Sequence, residues 1–149
     1  MYSTILTLHN LTRWGVLLFG LYAITKSILG LINKRDFTKK ENISHAIFVG
    51  FCHFQLLLGI VLYMISPKID AALANGFGAA MKDSYSRLIV LEHISVMIIA
   101  VALIQVGRTL SKKATGSITK HEKSLLFYSI GLLLILSRIP WKYSPEWPF

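Results

Sequence analysis

Four long apolar runs dominate the chain, at about 4–32, 46–66, 88–106 and 125–140, with short polar stretches between them. A bilayer core about 30 Å thick takes roughly 20 apolar residues in a helix. The pattern therefore predicts an all-α protein: an integral membrane four-helix bundle forming one domain over 1–149. The fourth run is the shortest and closes on Ile139-Pro140-Trp141. Proline stops a helix there, and an indole suits the headgroup region.

Composition agrees. Of 149 residues, 54% are apolar and 15% charged, against about 45–50% and 25% in soluble domains, and the mean hydropathy is +0.57. A disordered chain, a repeat array and an ordinary soluble enzyme domain are excluded. Sixteen Lys and Arg stand against seven Asp and Glu. In a soluble protein that balance suggests nucleic acid; here the charges cluster in short connections, where topology explains them. No nucleic-acid partner is expected. Cys52 is the single cysteine, so an intramolecular disulfide is impossible. The first run is too long for a signal-peptide core and lacks a basic start and a small-x-small cleavage site, so no removable leader is expected.

The connections set an orientation. Lys34, Arg35, Lys39 and Lys40 fall in one, and Arg108, Lys112, Lys113, Lys120 and Lys123 in another, together nine of the sixteen basic residues. The positive-inside rule places both connections in the cytoplasm and both termini outside. The outer connection, 67–87, is rich in Ala and Gly and predicts a short interfacial helix broken near Asn75-Gly76. It either caps a site or simply joins two spans.

Ionisable side chains inside lipid are costly, so each is a functional candidate. The first run holds His9, Arg13 and Lys26, the last within snorkelling reach of the cytoplasmic face. The second holds Cys52, His53 and Gln55, and the third Glu92, His93 and Gln105, while Arg138 ends the fourth. Helical spacing puts His9, Arg13, Val16 and Gly20 on one face and His93, Met97 and Ala100 on another. On the second helix His53 shares a stripe with Gly50 and Leu57, while Cys52, Gln55 and Gly59 form the adjoining one. Three chemistries use such a set: axial ligation of a haem, a zinc or copper site, or a proton path through Glu92 and the histidines. The plain alternative is packing, with each histidine bonded to a carbonyl and Glu92 neutralised by Arg13.

Helix rise separates the histidines in depth. His53 and His93 differ by about 11 Å and His9 and His93 by about 8 Å, so spacing alone does not choose a pair. His45, at the mouth of the second run, and His121, in a basic connection, read as solvated surface residues. Arg13, Arg87, Arg138 and Lys142 are the cations available near the outer surface for haem propionates.

Several segments resemble a known family: Leu8-His9 with Arg13-Trp14, His53-Phe54-Gln55-Leu56-Leu57-Leu58-Gly59, Glu92-His93 with Met97, Gly107-Arg108 with Ser111-Lys112-Lys113-Ala114, and Ile139-Pro140-Trp141. They resemble, in order and over nearly the whole chain, small four-helix membrane proteins of Bacteroidetes-type bacteria usually labelled "cytochrome B". The better-understood comparison is the small four-helix cytochromes b, which pass electrons between a quinone pool and a partner. The resemblance implies a multi-pass respiratory electron carrier of a bacterial inner membrane with haem b, reached by quinol or other membrane subunits. With only three well-placed histidines, one haem is expected rather than two. His53 and His93 are the first choice for its iron, with His9 the substitute and Arg13 near a propionate. The alternatives are a non-catalytic accessory subunit of a larger respiratory or transport complex and, more remotely, a small transporter or metal-handling protein.

Overall fold

A computed structural model describes residues 1–141; Lys142, expected to be an outer-surface cation, lies outside them. The chain forms α1 (Tyr2–Ile32), α2 (Lys39–Ile65), three short helices α3 (Pro67–Leu73), α4 (Phe77–Ala80) and α5 (Ser84–Arg87), a π-helical turn (Leu88–Glu92), α6 (His93–Lys113) and α7 (Ser117–Arg138). Among the described residues there is no strand. Three stretches, Tyr2–Ile32, Lys39–Ile65 and Ser84–Lys113, are long and apolar enough to cross a membrane. The fourth expected span is a helix of 22 residues, but Lys120, Glu122 and Lys123 occupy its first two turns and shorten its apolar part.

The helices extend beyond the apolar runs because their ends are set by capping. Thr38 and Glu41 form a capping box: the Glu41 amide donates to Thr38 Oγ1 at 3.3 Å, and the Thr38 amide donates to Glu41 Oε2 at 2.7 Å. That satisfies two N-terminal donors and starts α2 at Lys39 rather than near 46. At the end of α1, Lys34 adopts a left-handed φ of 49°. The Lys34 amide donates to the Leu31 carbonyl at 3.3 Å and the Arg35 amide to the Gly30 carbonyl at 2.9 Å, a Schellman closure. In the connector, the break between α3 and α4 falls at Gly76, with φ 86°, beside Asn75 as the sequence predicts.

Each long helix packs on two neighbours, in the ring α1–α2–α6–α7, with α1 diagonal to α6 and α2 diagonal to α7. The two tight connections share one end, where Ser117 Oγ donates to Asp36 Oδ1 at 3.2 Å. At the other end Ser66 Oγ donates to Tyr2 Oη at 3.5 Å. Val16, Phe48, Cys52, Ala100, Ile104, Tyr128 and Ile135 form the core. Glycine lets α6 and α7 approach: a Cβ at Gly131 would lie 2.4 Å from Ile104 Cγ1, and one at Gly107 2.4 Å from Phe127 Cβ. The exterior is apolar as well, with Leu18, Leu21, Leu57, Ile99 and Leu133 all exposed. In water that surface would drive aggregation, and it suits contact with lipid.

Candidate functional site

At the end of the bundle that carries the connector, a cavity of about 480 Å³ opens between α1, α2, α6 and α7. Its walls are mostly apolar, including Val16, Leu56, Met97 and Val101, and His9, Arg13 and His93 reach it. These are the predicted faces of α1 and α6. Of the two stripes on α2, the structure turns Cys52, Gln55 and Gly59 inward.

His53 is exposed and lies in a separate groove with Gln105, Arg108 and Lys112. The structure therefore does not bring together His53 and His93, the pair placed first on sequence. The reason is helical geometry: Cys52 is buried in the core, and the next residue lies about 100° round the helix. The structure instead brings His9 and His93 together across the α1–α6 diagonal, their ring centres 6.5 Å apart and their planes at 70°. The axial offset of about 8 Å follows from the expected ends of the apolar runs; because α6 continues to Lys113, His93 and His9 stand at more nearly equal distances from the shared basic end, and rise then separates them by only about 4–5 Å. A π turn precedes His93 directly, and such turns shift the register of the helix beyond them.

Both imidazoles are held from behind. His93 Nδ1 donates to the Arg138 carbonyl at 2.7 Å. That oxygen belongs to the last residue of α7, whose carbonyl has no partner within the helix. The contact fixes the His93 tautomer and leaves Nε2 as the free nitrogen. His9 is positioned through its backbone: Gln55 Nε2 donates to the His9 carbonyl at 2.9 Å, and the Thr12 hydroxyl lies against Gln55 Oε1. Gly59 makes room for the ring, since a Cβ there would stand 3.3 Å from His9 Cε1. His9 Nδ1 is buried without a hydrogen-bond partner.

Glu92 does not pair with Arg13. It accepts from Arg87 Nε at 2.9 Å and forms an ion pair with Arg138, whose Nε lies 3.3 Å from Oε2, which ties the connector, the start of α6 and the end of α7 into one clamp beside His93. The wide π turn suits the five-residue step from Arg87 to Glu92. The Arg13 guanidinium instead lies 5.7 Å from the ring centre of Trp14 and 5.6 Å from that of Trp141. These cation–π contacts leave its Nε buried and without a hydrogen-bond partner.

His45 and His121 are both fully buried, which corrects their reading as solvated residues. Each belongs to a helix that starts earlier than its apolar run, so residues near the basic connections are covered by neighbouring helices. Phe37 packs against both rings with centres 5.1 Å away, and Gly30 makes room for His121, with a built Cβ only 2.4 Å from its Nε2. Ser124 Oγ donates to Ser111 Oγ at 3.0 Å, and Ser111 Oγ to the Lys120 carbonyl at 3.1 Å. The one Ser124 proton being used, His45 Nδ1 is the donor in its 3.2 Å contact with Ser124 Oγ. No signal in the sequence other than the helix-capping residues points to this buried polar layer.

Among the described residues, no group of three or more His, Cys, Asp or Glu is arranged to hold a metal ion by itself. Comparisons with protein-family models, with curated proteins and with solved structures find no match to this chain.

Proposed function

We propose that this chain is a membrane-bound b-type cytochrome of a bacterial inner membrane, carrying electrons between quinol or a membrane partner and a respiratory acceptor. The observation that carries the reading is the His9–His93 pair facing across an apolar cavity. Two metal–nitrogen bonds of about 2 Å, with the distance from each nitrogen to its ring centre, sum to about 6 Å, close to the 6.5 Å between these rings. The cavity volume falls within the roughly 300–1,000 Å³ range of small-molecule and cofactor sites.

His9 and His93 would hold the haem, in place of the His53–His93 pair favoured on sequence, and Arg13 would offer a cation to its carboxylates. Bound there, haem supplies one-electron transfer at a potential tuned by its ligands and surroundings. The chain does the rest: the Arg138 carbonyl orients the His93 ring by accepting from Nδ1, Gln55 fixes the α1 backbone at His9, and the apolar walls exclude water.

On this reading α7 is the fourth span. Its outward residues Leu126, Ile130 and Leu133 recur at steps of four and three and are all exposed, a stripe for lipid. The basic end then faces the cytoplasm and both termini lie outside. A reduced-minus-oxidised absorbance spectrum of protein purified in mild detergent after haem-supplemented expression tests the proposal. The α-band and Soret shift of a bis-imidazole haem b are expected. A flat spectrum from folded protein overturns it and favours an accessory subunit in which the Arg87–Glu92–Arg138 clamp and the histidines serve packing alone.

A further inference from the structure

A separate groove lies at the basic end, between α2 and α6, and is lined by Gly50, His53, Gln105, Arg108, Lys112 and Lys113 among others. Among the described residues no carboxylate lines it. Of the acids at this end, Glu41 is used in the capping box of α2 and Asp36 accepts from Ser117, and Glu122 is on α7. Lys112 and Lys113 are exposed, whereas Arg108 is only 8% exposed.

Arg108 is the anomaly. A guanidinium has five N–H donors, yet the hydrogen bond Arg108 makes is from Nη2 to the Asn42 carbonyl at 3.2 Å, and its Nη1 is buried without a partner. Both ion pairs among the described residues belong to Glu92 at the opposite end of the bundle. A buried cation without a counter-charge is strongly unfavourable. Here it sits on the wall of an open groove beside two lysines, at the depth where α2 and α6 leave the apolar region. Oxyanions with several acceptor oxygens, phosphate above all, match a guanidinium and two ammonium groups. Basic pockets between membrane helices bind phospholipid headgroups by this chemistry.

We propose that the α2–α6 groove is a phosphate-binding site, with Arg108 as the buried anchor and Lys112 and Lys113 as the outer contacts, and that the phosphate is carried by an anionic phospholipid headgroup or supplied as a free ion. The site is independent of the haem reading, since its residues do not line the histidine cavity.

The test uses the full chain in nanodiscs of phosphatidylcholine, with and without phosphatidylglycerol, read by native mass spectrometry of retained lipid. A parallel arm titrates inorganic phosphate against chloride into the phosphatidylcholine discs and reads the thermal transition. Because Arg108 is buried and its loss can impair folding, the principal variant is K112Q/K113Q, with K39Q/K40Q as a control of equal charge change at the same end. Retained phosphatidylglycerol is expected to fall about tenfold or more in K112Q/K113Q and to stay near wild type in K39Q/K40Q. Phosphatidylglycerol retention without a phosphate response assigns the headgroup, and a phosphate-induced rise in the transition without lipid preference assigns the free ion. The proposal is overturned if wild type prefers neither, or if the two double variants lose binding equally.

Discussion

His93 reaches the end of the neighbouring α7, where its Nδ1 donates to the Arg138 carbonyl at 2.7 Å. One bond thereby couples the orientation of an imidazole on α6 to the point where α7 stops before Pro140. His53, by contrast, is exposed on the outside of α2.

The three histidines accordingly respond differently to removal. On the haem proposal, His93→Ala and His9→Ala are each expected to lower haem retention tenfold or more, because each would remove one of the two residues proposed to hold it. His53→Ala is expected to leave the reduced spectrum unchanged. Haem-to-protein ratios of the three purified variants provide the check, and a retained spectrum in His93→Ala with a lost one in His53→Ala would restore the pairing suggested by the sequence.

Apolar runs locate all four long helices, because an apolar stretch of that length is legible in composition alone. They misplace the start of α2, since that is set by Thr38 and Glu41, a readable capping signature outside the apolar run. Faces at helical spacing are correct for His9, Arg13 and Met97. The face of α2 is ambiguous by one residue in the sequence, since Cys52 and His53 both suit a helix interior and only packing against α1 and α6 decides between them. The π turn before His93 and the burial of His45 and His121 arise from tertiary contacts, including those of Phe37 and Gly30, that a single-chain pattern does not encode.

Glu92 holds Arg87 and Arg138 with side chains 30%, 42% and 43% exposed. Partly exposed pairs contribute about 0.2–1 kcal/mol each after screening. Glu92→Gln is thus expected to cost about 1 kcal/mol and lower the thermal midpoint in detergent by about 2–4 °C. A cycle with Arg138→Gln separates the two pairs. An unchanged midpoint in Glu92→Gln would show that the clamp adds nothing to stability.

Two helical glycines predict opposite outcomes for the same substitution. A Cβ at Gly30 would lie 2.4–2.6 Å from three atoms of the buried His121 ring, whereas one at Gly50 meets nothing within 4 Å. Gly30→Ala is expected to destabilise by about 1–3 kcal/mol through overpacking. Gly50→Ala is expected to stabilise by up to about 1 kcal/mol, since alanine restricts the unfolded chain and favours helix. Thermal unfolding of the two variants side by side decides the matter, and equal shifts would mean that His121 does not pack closely on α1.

Asp83 supplies a pH-dependent contact outside the spans. Its carboxylate accepts from the Ser86 amide at 2.7 Å and caps α5, and that backbone bond is the main reason its pKa lies below the ordinary carboxylate value. A depressed folded pKa gives stability that is fully present above the unfolded pKa and is lost as pH falls through the lower folded one. The cap is therefore expected to persist through neutral and mildly acidic conditions and to release only in stronger acid. The Ser86 amide shift, followed by NMR as pH is lowered, should titrate with a midpoint below that of a free aspartate and become flat in Asp83→Asn. A midpoint at or above the free value would mean that the Ser86 contact does not form in solution.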